Sequence, residues 1–278
     1  MSAISVQAVT KSFRGGTVAL KNVSVEIGQG EMVALIGASG SGKSTLIRHV
    51  SGLLPADRGE KGGRIEVLGN AVQAQGRIAK DISKSRTDIG VIFQQFNLVP
   101  RLSVLVNVLA GLLGKAPRLR ATLGIFTRAE KQLAMQALYR VGIEARARQR
   151  AATLSGGQQQ RAAIARTLVQ GAKVLLADEP IASLDPASAK RVMGILSEIN
   201  QQDGITVMVS LHQVEYARRY CARTIAMRDG EIVFDGPSRE LTTDFLREIY
   251  GEASEELILP DADDFQNAPI PARAPEPA

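Results

Sequence analysis

Residues 32–45 read Met32-Val33-Ala34-Leu35-Ile36-Gly37-Ala38-Ser39-Gly40-Ser41-Gly42-Lys43-Ser44-Thr45. Five apolar residues in a row fit a strand buried on both faces of a parallel sheet. The next eight fit G-x-x-x-x-G-K-[ST], and Lys43 to Val50 then reads as a helix. The motif therefore stands between strand and helix, which is the context it requires. Glycines let the backbone close tightly and turn its N–H groups toward phosphate oxygens, and the helix start adds partial positive charge. In such a loop Lys43 reaches the β- and γ-phosphates of a nucleotide, and Ser44 offers its hydroxyl to Mg²⁺. A glycine-rich turn that binds nothing is the plain alternative, and the strand–loop–helix context argues against it.

Upstream, Val23, Val25 and Ile27 alternate with Ser24 and Glu26, the period of a half-buried strand. Downstream, residues from about 102 to 152 turn helical. Thr127 and Glu130 make a capping box ahead of Leu133, Ala137, Leu138 and Val141, and Gly142 suits the helix end. Regular α/β pattern then returns, with a helix over 157–170, a buried strand over 174–177, a helix over 187–200 and a strand over 206–210. Asp229-Gly230 between two short apolar runs predicts a two-residue hairpin. The expected architecture is α/β: a core with an antiparallel β part near the N-terminus and a helical subdomain inserted at about 100–155. Residues 1–250 form that domain, and the acidic, proline-rich 251–278 is expected to be a disordered tail.

A second site signal is Val174-Leu175-Leu176-Ala177-Asp178-Glu179. In open α/β sheets the ligand lies at the carboxyl ends of the strands. Asp178 is placed there to hold Mg²⁺, and Glu179 to act as the general base that orients a water. A strand ending in two solvated acids is the plain reading of this stretch taken alone.

Leu154-Ser155-Gly156-Gly157-Gln158 stands just before the helix that leads to that acidic strand. With this peptide in place, residues from about 5 to 236 resemble the ATP-binding subunits of ABC transporters. The resemblance implies a P-loop NTPase fold with a RecA-like core, the cofactors ATP and Mg²⁺, and a homodimer. It also implies that Ser155, Gly156, Gly157 and Gln158 cap the nucleotide held on the partner's Gly37–Thr45 loop, which comprises Gly37, Ala38, Ser39, Gly40, Ser41, Gly42, Lys43, Ser44 and Thr45. A loop ending in an N-cap serine is also a physically sound reading of these residues, and the matching order of all the motifs argues against it.

The resemblance extends to four further positions. Gln94, after Val91-Ile92-Phe93, matches the glutamine that senses Mg²⁺ and the water, with Gln95 as the competing choice. Asp185, in Ser183-Leu184-Asp185, matches the loop that crosses the dimer interface. His212 matches the histidine that contacts the γ-phosphate, while His49 reads as structural. Phe13 stands where the family often has a tyrosine stacked on adenine. It keeps the ring and loses the hydroxyl, and a core phenylalanine competes with that reading.

More narrowly, Gly90 to Val99, Arg101 to Val104 and Leu211 to Tyr220 resemble the ATP-binding subunits of phosphonate importers. That resemblance implies integral-membrane permease partners and, indirectly, a periplasmic binding protein. It places the chain as a peripheral protein on the cytoplasmic face of the inner membrane. The absence of a long apolar run, of a leader-like start and of paired cysteines fits that expectation, since the one cysteine is Cys221. Two rivals stand beside it: an accessory ATPase in phosphonate breakdown, and a non-transport ABC protein acting on nucleic acid. The net charge of +6 divides into −6 for residues 252–278 and +12 for the rest. A basic body suits any anionic partner, yet the coiled coils or doubled motifs of nucleic-acid-acting relatives are missing, so no nucleic acid is expected.

Overall fold

The computed structural model describes residues 1–251, and all but the first residue of the stretch expected to be a disordered tail lies outside the described residues. In chain order the elements are β1 (Ser2–Ser12), β2 (Val18–Gly28), β3 (Met32–Ile36), α1 (Lys43–Val50), β4 (Arg64–Val67), β5 (Asn70–Ala74), β6 (Arg77–Ile78), α2 (Ile82–Asp88) and β7 (Ile89–Ile92). Three helices follow, α3 (Val104–Leu109), α4 (Arg118–Leu123) and α5 (Arg128–Arg140). The chain continues with α6 (Gly156–Gln170), β8 (Val174–Ala177), α7 (Pro186–Asp203), β9 (Thr206–Leu211), α8 (Val214–Tyr220), β10 (Arg223–Arg228), β11 (Glu231–Pro237) and α9 (Thr243–Tyr250).

Two sheets result. An antiparallel one runs β2-β1-β4-β5-β6, and a second runs β11-β10-β3-β9-β8-β7. In the second, β10, β3, β9, β8 and β7 are parallel and only β11 is antiparallel. The five residues of β3 are all buried, and they divide between two cores. Val33 and Leu35 face α1 and the antiparallel sheet, while Met32, Ala34 and Ile36 face the helices that include α6, α7 and α8. Burial on both faces is why this strand shows no alternation in sequence. β2 does alternate: Val23, Val25 and Ile27 are buried while Ser24 and Glu26 are exposed.

Local signals set the ends of the elements. The capping box at Thr127 and Glu130 is formed, and Gly142 takes φ 66° just past α5. The apolar face of α5 is offset from the expected one: Ala134 joins Ala137 and Leu138 inside, and Leu133 is exposed. Asp229 and Gly230 both have positive φ, 51° and 83°, as a primed hairpin turn demands. The helix expected over 187–200 is longer, because Asp185 caps it ahead of Pro186 and Gly204 stops it at φ 65°. No described helix is long and apolar enough to cross a membrane.

Candidate functional site

The loop of residues 37–42 leaves the buried end of β3 and closes on the first turn of α1. At Gly42 φ is 107°, and a Cβ there would lie 2.5 Å from the Ala19 carbonyl oxygen. At Gly37 a Cβ would lie 2.5 Å from both the Met227 carbonyl oxygen and the Ser41 hydroxyl. Close packing against β2 and β10 therefore excludes side chains at both positions. Gly230, in the β10–β11 turn, donates its N–H to the Ser41 carbonyl at 3.1 Å and fixes the loop from behind. A cavity of about 170 Å³ opens over the loop, lined by residues 39–45 and Glu179. Lys43 is 4% exposed, and its ammonium donates to the carbonyls of Gly37 at 2.7 Å and Ala38 at 3.0 Å. The Ser41 hydroxyl, in the wall of this cavity, is buried without a hydrogen-bond partner. A buried polar atom left this way costs about 1–3 kcal/mol, which an oxyanion in the cavity would offset.

The carboxyl ends of β8 and β9 meet at this cavity. The Ser44 hydroxyl donates to Asp178 Oδ1 at 2.8 Å, and the Ser210 hydroxyl donates to the same oxygen at 3.1 Å. Ser210 also accepts the N–H of Glu179 at 2.8 Å. Glu179 has φ 49°, a left-handed conformation that a non-glycine residue keeps only where its surroundings impose it. The Ser210 hydroxyl is one such constraint. His212, one residue past β9, donates Nε2–H to Glu179 Oε1 at 2.7 Å. That hydrogen bond holds the Glu179 carboxyl below the usual carboxylate range, with the charges of His212 and Lys43 adding and burial opposing. Glu179 also forms a wall of a second, adjacent cavity with Ser210, His212 and Gln213. Lys43, Ser44, Asp178, Glu179 and His212 thus converge from three parts of the chain.

The other expected residues lie elsewhere. Gln94 and Gln95 sit exposed in the turn after β7. That turn is near Asp178, whose N–H donates to the Ile92 carbonyl at 2.8 Å, but Gln94 has no part in the bonds among Ser44, Asp178 and Ser210. Ser155 caps α6: its hydroxyl accepts the Gln158 N–H, and the Gln158 side chain accepts the Ser155 N–H. A Cβ on Gly157 would lie 2.6 Å from the Ser188 hydroxyl, so this glycine permits α6 to meet the start of α7. None of Ser155, Gly156, Gly157 and Gln158 lines the cavity over the chain's own glycine loop. Asp185 is exposed and caps α7 by accepting the Ser188 N–H at 2.9 Å. Phe13 is 42% exposed, in the β1–β2 connection with the Lys11 ammonium 5.6 Å from its ring centre, and is not a core residue. His49 is fully buried and its Nδ1 bonds the Thr45 carbonyl at 2.7 Å, a structural role.

Two residues that the sequence reading passed over belong here. Ser210 ties Asp178 to the Glu179 backbone, and its only sequence signal is a hydroxyl at the carboxyl end of a strand whose other hydroxyl, Thr206, stands at its start. Arg166, in α6, donates to the carbonyls of Asn97 at 2.6 Å and Phe96 at 3.3 Å. Both of those residues have positive φ, 49° and 50°. The α6 helix thereby holds the turn that carries Gln94.

A family model described as ABC transporter matches residues 20–182. "Phosphonates import ATP-binding protein PhnC" of Stutzerimonas stutzeri is 60% identical over 93% of this chain and 93% of its own length. The protein of the same name from Cupriavidus pinatubonensis is 55% identical over 98% of this chain and 96% of its own. Among solved structures, the dimeric bacterial ABC transporter cassette MJ0796 superposes with a TM-score of 0.74 at 34% identity, covering 86% of this chain and 100% of that one. The ADP conformation of the cassette MJ1267 gives 0.75 at 27% identity, covering 90% and 98%.

Proposed function

The chain belongs to the ABC transporter ATP-binding family, and from that premise we propose that it hydrolyses ATP to drive a phosphonate importer. The backbone N–H groups of residues 38–44, with the Lys43 ammonium, bind the polyphosphate. Thr45 continues that first helical turn, and Phe13 offers an exposed ring to the base. Ser44 and Asp178 present two hard oxygen atoms 2.8 Å apart. Such a pair fits Mg²⁺, which takes one or two protein oxygens beside waters and substrate phosphates. Gln94 completes that set, and the ion when bound supplies charge neutralisation at the phosphates. Glu179 accepts a proton from the attacking water. His212 fixes the carboxylate and presents its ring toward the γ-phosphate.

The observation that carries this reading is the Glu179–His212 pair, closed at 2.7 Å against the cavity over the glycine loop. Ser155, Gly156, Gly157 and Gln158, remote from that cavity in their own chain, serve the cavity of a second copy, and Asp185 lies along the same contact. The likeness to a dimeric cassette supports this arrangement. The dimer docks on permease subunits at the inner face of the membrane, and a periplasmic binding protein delivers the substrate to them. Phosphonate as the substrate class rests on the names of the relatives. Uptake of phosphonates, phosphite and phosphate esters by cells with and without this chain tests it. Loss confined to phosphonates is expected, and unchanged phosphonate uptake would refute the assignment.

A further inference from the structure

Glu179 borders two cavities, and the second has no part in the mechanism proposed above. It holds about 240 Å³ between Glu179 and Ala182, which follow β8, and Ser210, His212 and Gln213, around the end of β9. Gln213 is the N-cap residue of α8, yet its side chain makes no bond to that helix. It lines the cavity instead, where its Oε1 is buried and meets no protein donor among the described residues. A buried acceptor is costly to leave unpaired.

The Glu179 carboxylate, ionised, only accepts as well. His212 donates to its Oε1, and among the described residues no protein group donates to its Oε2. Two acceptors on one cavity cannot bond each other. A molecule that donates twice joins them, and water is the smallest that does. A water needs about 15 Å³ of such space and two or more polar partners. The cavity exceeds that volume many times over, and Gln213 and Glu179 supply the partners.

We propose that Gln213 is a positioning residue for Glu179: it holds a water in this cavity, and that water donates to the Gln213 carboxamide and to the Glu179 carboxylate. His212 fixes one carboxylate oxygen and the bridging water the other, so the carboxylate is held against rotation while it serves as base. An oxygen with two lone pairs accepts the bridge and the attacking water together. This inference rests on the reading of Glu179 as the general base.

The test pairs Gln213→Met, which keeps the length of the side chain and removes the carboxamide, with Gln213→Asn, which keeps the carboxamide and lets water make up the lost length. Gln213→Met is expected to lower kcat roughly ten-fold, with KM and the ATP affinity of the single chain unchanged. Gln213→Asn should keep most of the rate. A loss in Gln213→Asn as deep as in Gln213→Met marks a packing role and overturns the proposal, as does full activity in Gln213→Met. In a Glu179→Gln background, where the base is gone, Gln213→Met should leave the residual rate as it is. An equal ten-fold loss there shows that Gln213 acts without Glu179, and overturns the proposal too. A crystal structure of the full chain decides independently of how the variants fold. It should show a water within hydrogen-bond distance of Gln213 Oε1 and a Glu179 carboxylate oxygen; a protein donor on Gln213 Oε1, or no water there, contradicts the inference. A Glu179→Gln chain that turns over like the wild type removes the base itself, and this role of Gln213 with it.

Discussion

In the proposed mechanism Glu179 is the residue on which the chemistry turns, and its state is set by its neighbours. The His212 hydrogen bond lowers its pKa. With the folded value below the unfolded one, the ionised pair stabilises the fold above the unfolded pKa. That contribution is lost as the pH falls through the folded value. Carbon-13 titration of the Glu179 carboxyl should therefore show a midpoint under the ordinary glutamate range, moving up in His212→Ala. A midpoint unmoved by that substitution would separate the two residues. Ser210 acts one step behind. Ser210→Ala removes a donor from Asp178 and strands the Glu179 N–H, which should cost about 1–3 kcal/mol of stability. It should also lower kcat more than KM, since it loosens the base and leaves the glycine loop intact; steady-state kinetics and thermal melts measure both. The glycine loop, Asp178 and Glu179 were legible in sequence because each stands at a strand end with its own residue pattern. Ser210 was not, because β9 carries two hydroxyls, Thr206 and Ser210, and which of them meets Asp178 is decided only when the neighbouring strand is in register.

At the scale of elements, α6 is the rigid link. Its N-terminus presents Ser155, its middle holds the Gln94 turn through Arg166, and Gln170 near its end donates to the carbonyls of Arg86, Thr87 and Ile89. Both ends of β7 therefore hang on one helix. Arg166→Gln should cost about 1.5–3 kcal/mol, the range for hydrogen bonds from a charged donor. It should reduce ATP hydrolysis while leaving ATP binding by the single chain near its wild-type value. Calorimetry with turnover assays checks this, and weakened binding would show that the turn serves the glycine loop itself. Helix ends were well marked in sequence by Thr127 with Glu130, by Gly142 and by Gly204. The face of α5 was less so, since Ala134 and Leu133 are adjacent and packing against α3 and α6 decides which turns inward. Phe13 shows the same limit, because an aromatic residue in a loop does not declare whether it faces the core or solvent.

On the proposed reading, the whole molecule carries half of a site on each of two surfaces. Lys43, Ser44, Asp178 and Glu179 line one, and Ser155 with Gly156 and Gly157 marks another. Ser155→Arg should abolish hydrolysis with ATP affinity of the single chain unchanged. Affinity that fell with it would put the residue at its own chain's loop. The most direct measurement is the mass in solution of Glu179→Gln, by light scattering, with Mg²⁺ and saturating ATP. With hydrolysis blocked, the composite site predicts twice the mass of one chain. Adding Ser155→Arg should return it to the single-chain mass with ATP still bound. A Glu179→Gln chain that stays at single mass with its ATP bound would contradict the account.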